Sequence, residues 1–296
     1  MRIALINSGL GLLAVGAALH RLRPDAELIL ASDPDGMPWG PRTPAGIRDR
    51  ALLCARACAQ YEPDVMVMAC NTGSVHALEA LRAEFEPGIA VIGTVPAIKP
   101  AAAAHAAVAI WATVATTEST YQRRLITEFG GSAEVTPVAC PGLADAVDAG
   151  DEAAIAAAIA SAAARTPGGC QAVVLGCTEY ELVGDRIAAA VPGAVTLGSA
   201  AAVAAQALRR AQPAGPASLS AGGLASASTG TSVTGTSVTA MGVTGTEGAR
   251  PALGSVRVLL SGRPAALPEA AMRYPEGRLL APLALAPADR DRALSG

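Results

Sequence analysis

Lysine is almost missing from this chain: Lys99 is the single example among 22 basic residues in 296. It stands between Ile98 and Pro100, with nothing around it that suggests a phosphate-binding loop. A covalent pyridoxal enzyme needs a lysine for its Schiff base, so that route to amino-acid chemistry is nearly closed. Charge is scarce as well, 16% of residues with a formal net of −3, which provides no basic footprint for nucleic acid. Six cysteines in this length are too few for a disulfide scaffold, and they read as reduced thiols in a cytoplasmic protein. Long hydrophobic runs are absent too. The alanine-dominated stretch 100–115 is interrupted by His105 and falls short of the ~20 residues a bilayer requires. Asn7 and Ser8 interrupt the apolar N-terminal segment, so it reads as a strand leading into a helix rather than as a signal peptide. Aromatics are only 3% of a chain that is 51% hydrophobic, so alanine carries much of the apolarity and favours small-side-chain helices.

What is present is alternation. Short apolar runs at Ile3–Ile6, Leu28–Ala31, Val65–Ala69, Ala90–Ile92, Val108–Trp111, Val135–Ala139 and Ala172–Leu175 read as buried strands. Helical patterns lie between them, near 11–22, 44–60, 74–84, 119–129, 151–165, 181–190 and 199–211. Strand–helix alternation of this kind predicts an α/β fold, with parallel sheets flanked by helices. The expected organisation is a first domain of residues 1–93 with 195–211 and 252–275, and a second of 94–194. Residues 212–251 are rich in Ala, Gly, Ser and Thr and repeat the pentad Gly-Thr-Ser-Val-Thr at 230 and 235, which reads as a flexible insertion. An edge strand at Val256–Leu260 and a short helix near Pro268–Arg273 follow, and 276–296 reads as a disordered tail.

The two halves share a motif. Val65–Ala69 leads into Cys70-Asn71-Thr72, and Ala172–Gly176 leads into Cys177-Thr178-Glu179, with the two cysteines 107 positions apart. Each ends a strand just before a helix, where the helix N-terminus favours a thiolate. A lone cysteine in such a place is commonly structural; two in matching settings point to chemistry. Ligands of open parallel sheets bind beyond the carboxyl ends of the strands. Facing halves would therefore put Cys70 and Cys177 on opposite walls of one cleft. A proton acceptor on one face of a carbon and a donor on the other suit a reversible inversion of that centre, which is racemisation or epimerisation.

Other readings compete. Gly9-Leu10-Gly11-Leu12-Leu13-Ala14 after the first strand, with Asp33 some twenty positions on, satisfies the dinucleotide pattern of an NAD oxidoreductase. That reading leaves both cysteine motifs unexplained. The same glycines would equally let a small anionic substrate approach the helix N-terminus. Cys70 with His76 hints at a cysteine hydrolase, but His76 is set along the following helix. Cys54, Cys58, Cys140 and Cys170 form no ligand set with metal spacing, so no metal site is expected.

Asn7-Ser8-Gly9, Pro38-Trp39-Gly40, Ala69-Cys70-Asn71-Thr72, Thr113 and Thr116 before Ser119-Thr120-Tyr121, Cys140-Pro141-Gly142 and Gly176-Cys177-Thr178-Glu179-Tyr180 together resemble the glutamate racemases of the aspartate/glutamate racemase superfamily. The resemblance spans about residues 1–211, with 256–273 similar to the family's C-terminal strand and helix. It implies a cofactor-independent enzyme of two pseudo-symmetric α/β domains, with Cys70 acting on the D-isomer and Cys177 on the L-isomer. It also implies an amino-acid substrate held by Ser8, Gly40, Asn71, Thr72, Thr116 and Thr178, a D-glutamate product for peptidoglycan precursors, and a homodimer. Three positions depart from the family pattern. Trp39 replaces a tyrosine, Asn7 replaces an aspartate, and Glu179 replaces a histidine, giving the Cys-Thr-Glu form of the aspartate racemase branch. Asn7 hydrogen-bonds but carries no charge, whereas Glu179 keeps proton-transfer capacity with the opposite sign. Aspartate racemisation and non-catalytic amino-acid binding are the alternatives these departures leave open.

Overall fold

The computed structural model describes residues 1–211 and 253–287. Four parallel strands begin the chain: β1 (Arg2–Ile6), β2 (Glu27–Ser32), β3 (Val65–Met68) and β4 (Ala90–Gly93), each separated from the next by helix. Four more follow: β5 (Ala107–Ala112), β6 (Glu134–Ala139), β7 (Ala172–Leu175) and β8 (Val195–Leu197). Near the C-terminus come β9 (Val256–Leu260) and β10 (Arg263–Ala265). They make two sheets, ordered β10-β9-β2-β1-β3-β4 and β6-β5-β7-β8. The core of the first sheet (2-1-3-4) and the whole of the second (6-5-7-8) have the same order, with every pair parallel. This is the duplicated α/β architecture expected from the alternation.

The apolar runs become strands because helices cover both sheet faces. Along β1, Ile3 and Leu5 face one core and Ala4 and Ile6 the other, all fully buried. The first of these cores is continuous between the domains. Leu10, Leu13 and Val15 of the first join Leu143, Val147, Tyr180 and Leu182 of the second in one cluster. The helices are cut where capping chemistry places them. Thr43 accepts a hydrogen bond from Gly46 N–H and precedes Pro44, opening the helix Pro44–Ala59. The Asp151 carboxylate accepts from the Ala153 and Ala154 amides to open the alanine-rich helix Glu152–Arg165.

The structure corrects three sequence expectations. Residues 195–197, grouped above with the first domain, pair with β7 as the fourth strand of the second sheet, completing the repeat. The strand 256–260 is internal rather than an edge, because β10 pairs antiparallel beyond it. The supposed tail is built in as far as residue 287: Pro275–Leu280 is helical, the Tyr274 hydroxyl donates to the Val147 carbonyl at 2.5 Å, and Leu285 N–H donates to Val256 O. The insertion 212–251 and residues 288–296 lie outside the described residues. Among the described residues no helix is long and apolar enough to cross a membrane.

Candidate active site

The carboxyl ends of β1 and β3 in one sheet and of β5, β6 and β7 in the other open onto a cavity of about 400 Å³ between the domains. From the first domain Ser8, Trp39, Gly40, Cys70, Asn71 and Thr72 line it. From the second come Thr113, Thr116, Cys140, Asp148, Cys177 and Glu179. Cys70 and Cys177 therefore share one cavity from opposite domains, each at the mouth of a strand with the same place in its sheet.

The two thiols differ in their partners. Cys70 caps the helix Asn71–His76, its sulfur accepting from Gly73 N–H at 3.4 Å. Burial and the nearby Glu179 charge push its pKa up to about 12, against the pull of Gly73 and Ser8. Cys177 donates its thiol proton to Glu179 Oε2 at 2.8 Å. Burial, then the Glu179 carboxylate, raises its pKa well above that of a free thiol. Both thiols thus rest protonated at neutral pH, and one of them touches a proton acceptor.

Two buried amides fasten the walls together. Asn7 Nδ2 donates to Ala69 O at 2.7 Å and to Thr178 Oγ1 at 3.1 Å, and its Oδ1 accepts from Ser8 and Gly9. Asn71 Nδ2 donates to Gly176 O at 2.7 Å while its Oδ1 accepts from Thr94 at 2.6 Å. Asn7 and Thr178, expected to touch substrate, are buried behind the cavity wall and bonded to each other across the domain boundary. The Thr178 hydroxyl passes the connection on, donating to Glu179 Oε2 at 3.3 Å. Ser8, Gly40, Thr72 and Thr116 do line the cavity. Trp39 also lines it, but its indole N–H is spent on buried Asp33 at 2.9 Å.

The glycine-rich turn after β1 does not await an external anion. Leu10 N–H donates to Asp148 Oδ1 at 2.7 Å and Gly11 N–H to Glu179 Oε1 at 3.3 Å, so carboxylates of the second domain already occupy the start of the helix Leu12–Leu22. Asp33 is fully buried and bound by Arg50, Trp39 and Ser261, so it is closed to a ribose. The dinucleotide reading fails on both counts. His76 ends its helix exposed and does not line the cavity, so no Cys70–His76 pair forms. Lys99 is exposed on the helix Ile98–Ala104, likewise outside the cavity.

Asp148 was not foreseen. It sits on the helix Leu143–Ala149, and burial, then the Glu179 charge, raises its pKa well above the usual carboxylate range. Its one sequence signal is the need of an N-terminal Gly-x-Gly turn for an anion, which names no donor.

Two like α/β domains closing on a cavity with matched strand-end loops define a small-molecule enzyme of the open-sheet type. The chain belongs to the Asp/Glu/Hydantoin racemase family, whose model matches residues 12–208, and it is an amino-acid racemase of the pyridoxal-independent class. It is 34% identical to a glutamate racemase of Pseudomonas putida over 220 residues, covering 70% of this chain and 80% of that protein. A glutamate racemase of Salmonella gallinarum is 34% identical over 211 residues, covering 68% and 74%. The crystal structure of Escherichia coli glutamate racemase with L-glutamate and the activator UDP-MurNAc-Ala superposes with a TM-score of 0.67 at 28% identity, over 71% of this chain and 82% of that one. Glutamate racemase from Thermus thermophilus with β-chloro-D-alanine gives 0.57 at 30%, over 70% and 79%.

Proposed function

We propose that this protein interconverts L- and D-glutamate by a two-thiol proton transfer, without a cofactor. The observation that supports it most directly is the pairing of Cys70 and Cys177 in one cavity with Glu179 accepting from Cys177. Glu179 takes the Cys177 proton, and the resulting thiolate removes the α-proton of L-glutamate. The Cys70 thiol then delivers its own proton to the opposite face, leaving D-glutamate and a Cys70 thiolate. In the reverse direction the Cys70 thiolate takes the α-proton and the Cys177 thiol returns one, so each turnover leaves the pair poised for the opposite isomer. The α-carboxylate and ammonium are held by neutral groups, the Ser8, Thr72 and Thr116 side chains and the backbone around Gly40 and Asn71. The glutamate racemases among its relatives support glutamate as the substrate, and D-glutamate for peptidoglycan precursors as the use. The full chain incubated with L- or D-glutamate in D2O is expected to show loss of the α-proton signal together with inversion. Failure of exchange with glutamate, where aspartate does exchange, transfers the same mechanism to the shorter substrate. Cys70→Ser and Cys177→Ser should each abolish racemisation; turnover retained in either removes that thiol from the mechanism.

A further inference from the structure

Each thiol of the pair is tied to the other through the residues on either side of it. Before Cys70, the Ala69 carbonyl accepts from Asn7 Nδ2 at 2.7 Å. The same amide donates to Thr178 Oγ1, one residue beyond Cys177, at 3.1 Å. After Cys70, Asn71 Nδ2 donates to the Gly176 carbonyl, one residue before Cys177, at 2.7 Å. The Gly176 carbonyl and the Cys177 amide share one planar peptide, so turning the first turns the second. Two side-chain amides of the first domain therefore bracket Cys177.

The two amides are oriented from different places. Asn7 Oδ1 is held by its chain neighbours Ser8 and Gly9. Asn71 Oδ1 is held from farther off, by the Thr94 hydroxyl at 2.6 Å. Thr94 directly follows β4 and begins the crossing to the helix Ile98–Ala104, whose Ile98 and Ala101 share a core with Val108 and Ile110 of the second sheet. Ser74 sets the direction of the Thr94 bond. Its Oγ donates its one proton to Met68 O at 3.2 Å and accepts from Thr94 N–H at 2.9 Å. The Thr94 proton is then free for Asn71, at 2.6 Å against 3.3 Å to Ser74 Oγ. With its carbonyl end taken by a donor, the Asn71 amide presents its NH2 to Gly176. Thr94 is 1% exposed and Asn71 5%, so bulk water does not stand in for a lost hydroxyl.

We propose that Thr94 is a positioning residue for the racemisation: its hydroxyl orients Asn71, and Asn71 sets the Gly176–Cys177 peptide and with it the reach of the Cys177 thiol. The inference rests on the two-thiol reading. Cys70 keeps its own anchor in the Gly73 amide, so loss of the hydroxyl falls on Cys177. Thr94→Val removes that hydroxyl with little change of volume. In the full chain kcat for glutamate should fall about 10- to 10²-fold with KM little changed, the cost of a small displacement at a reacting group. α-Deuterated L-glutamate should show a larger primary isotope effect than in the unaltered enzyme, and α-deuterated D-glutamate a smaller one, because the Cys177 step has become the slow one in both directions. Thr94→Ser keeps the donor and should restore most of the rate and the original isotope effects. Where Thr94→Val does not fold, Thr94→Ala carries the same test. Full activity without the hydroxyl, a fall shared by Thr94→Ser, or isotope effects that change equally in both directions overturns the role of Thr94 and leaves the two-thiol reading standing. Failure of both Thr94→Val and Thr94→Ala to fold does the same, making Thr94 a residue of the fold alone. No α-proton exchange by the unaltered protein with glutamate or aspartate overturns the two-thiol reading and this inference with it.

Discussion

Cys177 Sγ donates to Glu179 Oε2 at 2.8 Å, whereas the sulfur of Cys70 accepts from the Gly73 amide at 3.4 Å and reaches no carboxylate among the described residues. The two walls of the cavity are alike in strand order and unlike in proton acceptors. Where the family pattern would set an aspartate near Cys70, Asn7 is fully buried and all its side-chain bonds run to Ala69, Thr178, Ser8 and Gly9.

Glu179→Gln is therefore expected to be the most selective lesion. The amide cannot take the Cys177 proton, and loss of a positioned base lowers kcat/KM by about 10²- to 10⁴-fold. Enantiomers are equal in energy, so both directions must fall together, and the asymmetry shows in isotope effects instead. With Cys177 slowed, α-deuterated L-glutamate should show a larger primary effect than in the unaltered enzyme, while α-deuterated D-glutamate should show a smaller one. Equal effects in the two directions would remove Glu179 as the partner of one thiol.

Much of this was legible in the sequence, for a definite reason. Parallel strands covered on both faces must be apolar throughout, so Val65–Met68 and Ala172–Leu175 announce themselves, and the cysteines after them fall at corresponding positions. What escaped was short or depended on distant partners. β8 is three residues, Val195-Thr196-Leu197, between Gly193 and Gly198, too brief for periodicity to register. Asp148 is one carboxylate on one helical turn, and only the docking of the second domain brings it to Leu10 N–H, 138 positions away. The Gly9-Leu10-Gly11 turn, expected to admit a small anionic substrate, is instead engaged by the Asp148 and Glu179 side chains. The anion comes from the chain itself, which no local pattern can indicate.

Gly11→Ala tests that docking. A Cβ at Gly11 would lie 2.4 Å from Thr178 Oγ1 and 2.8 Å from the Glu179 amide, closer than real contacts allow, and both belong to the opposite domain. The walls must separate or the Asn7–Thr178 bond must break, and a displacement of about 1 Å at a catalytic group is worth on the order of 10²-fold in rate. Activity should fall by about that factor with far-ultraviolet circular dichroism unchanged. Full activity would show that the domain boundary tolerates the extra methyl and that its spacing does not set the rate.

Alkaline pH should raise activity and lower stability together. Thiols protonated in the resting enzyme become nucleophilic as pH rises, so kcat/KM for glutamate should climb from pH 7 to 9. In the unfolded chain thiols ionise near about 8.5. Burial holds Cys54, Cys70 and Cys140 protonated to about 12 in the fold. Between those values the folded state binds more protons than the unfolded state, so the slope of stability with pH is negative, by up to about 1.4 kcal/mol per pH unit for each thiol. Thermal melts at pH 8, 9, 10 and 11 should show Tm falling steadily beyond 9. A flat profile would mean that these thiols are reached by solvent in the folded protein.

Asp33 ties the wall of the cavity to the end of the chain. Its carboxylate is fully buried, accepting from Arg50 Nε at 2.8 Å, Trp39 Nε1 at 2.9 Å and Ser261 Oγ at 2.9 Å. Burial pushes its pKa up, but Arg50, Trp39 and Ser261 prevail and hold it below the usual carboxylate value. Asp33→Ala would leave the Arg50 guanidinium and two other donors without their acceptor. Removing one member of a buried pair costs about 3–5 kcal/mol; the Arg50 side chain is 25% exposed and can rehydrate in part, so about 3 kcal/mol is expected. For a chain of this size that lowers Tm by about 6–12 °C. A group with a depressed folded pKa stabilises above its unfolded value of about 3.9 and loses that contribution as pH falls through the folded one. The gap in Tm between Asp33→Ala and the unaltered protein should therefore be full at pH 7 and narrow below pH 4. Because Trp39 lines the cavity through this anchor, KM for glutamate should rise in the same variant at temperatures where it remains folded. Loss of stability with KM unchanged would confine Asp33 to holding β9, β2 and the Arg50 helix together, and would leave Trp39 positioned by packing alone.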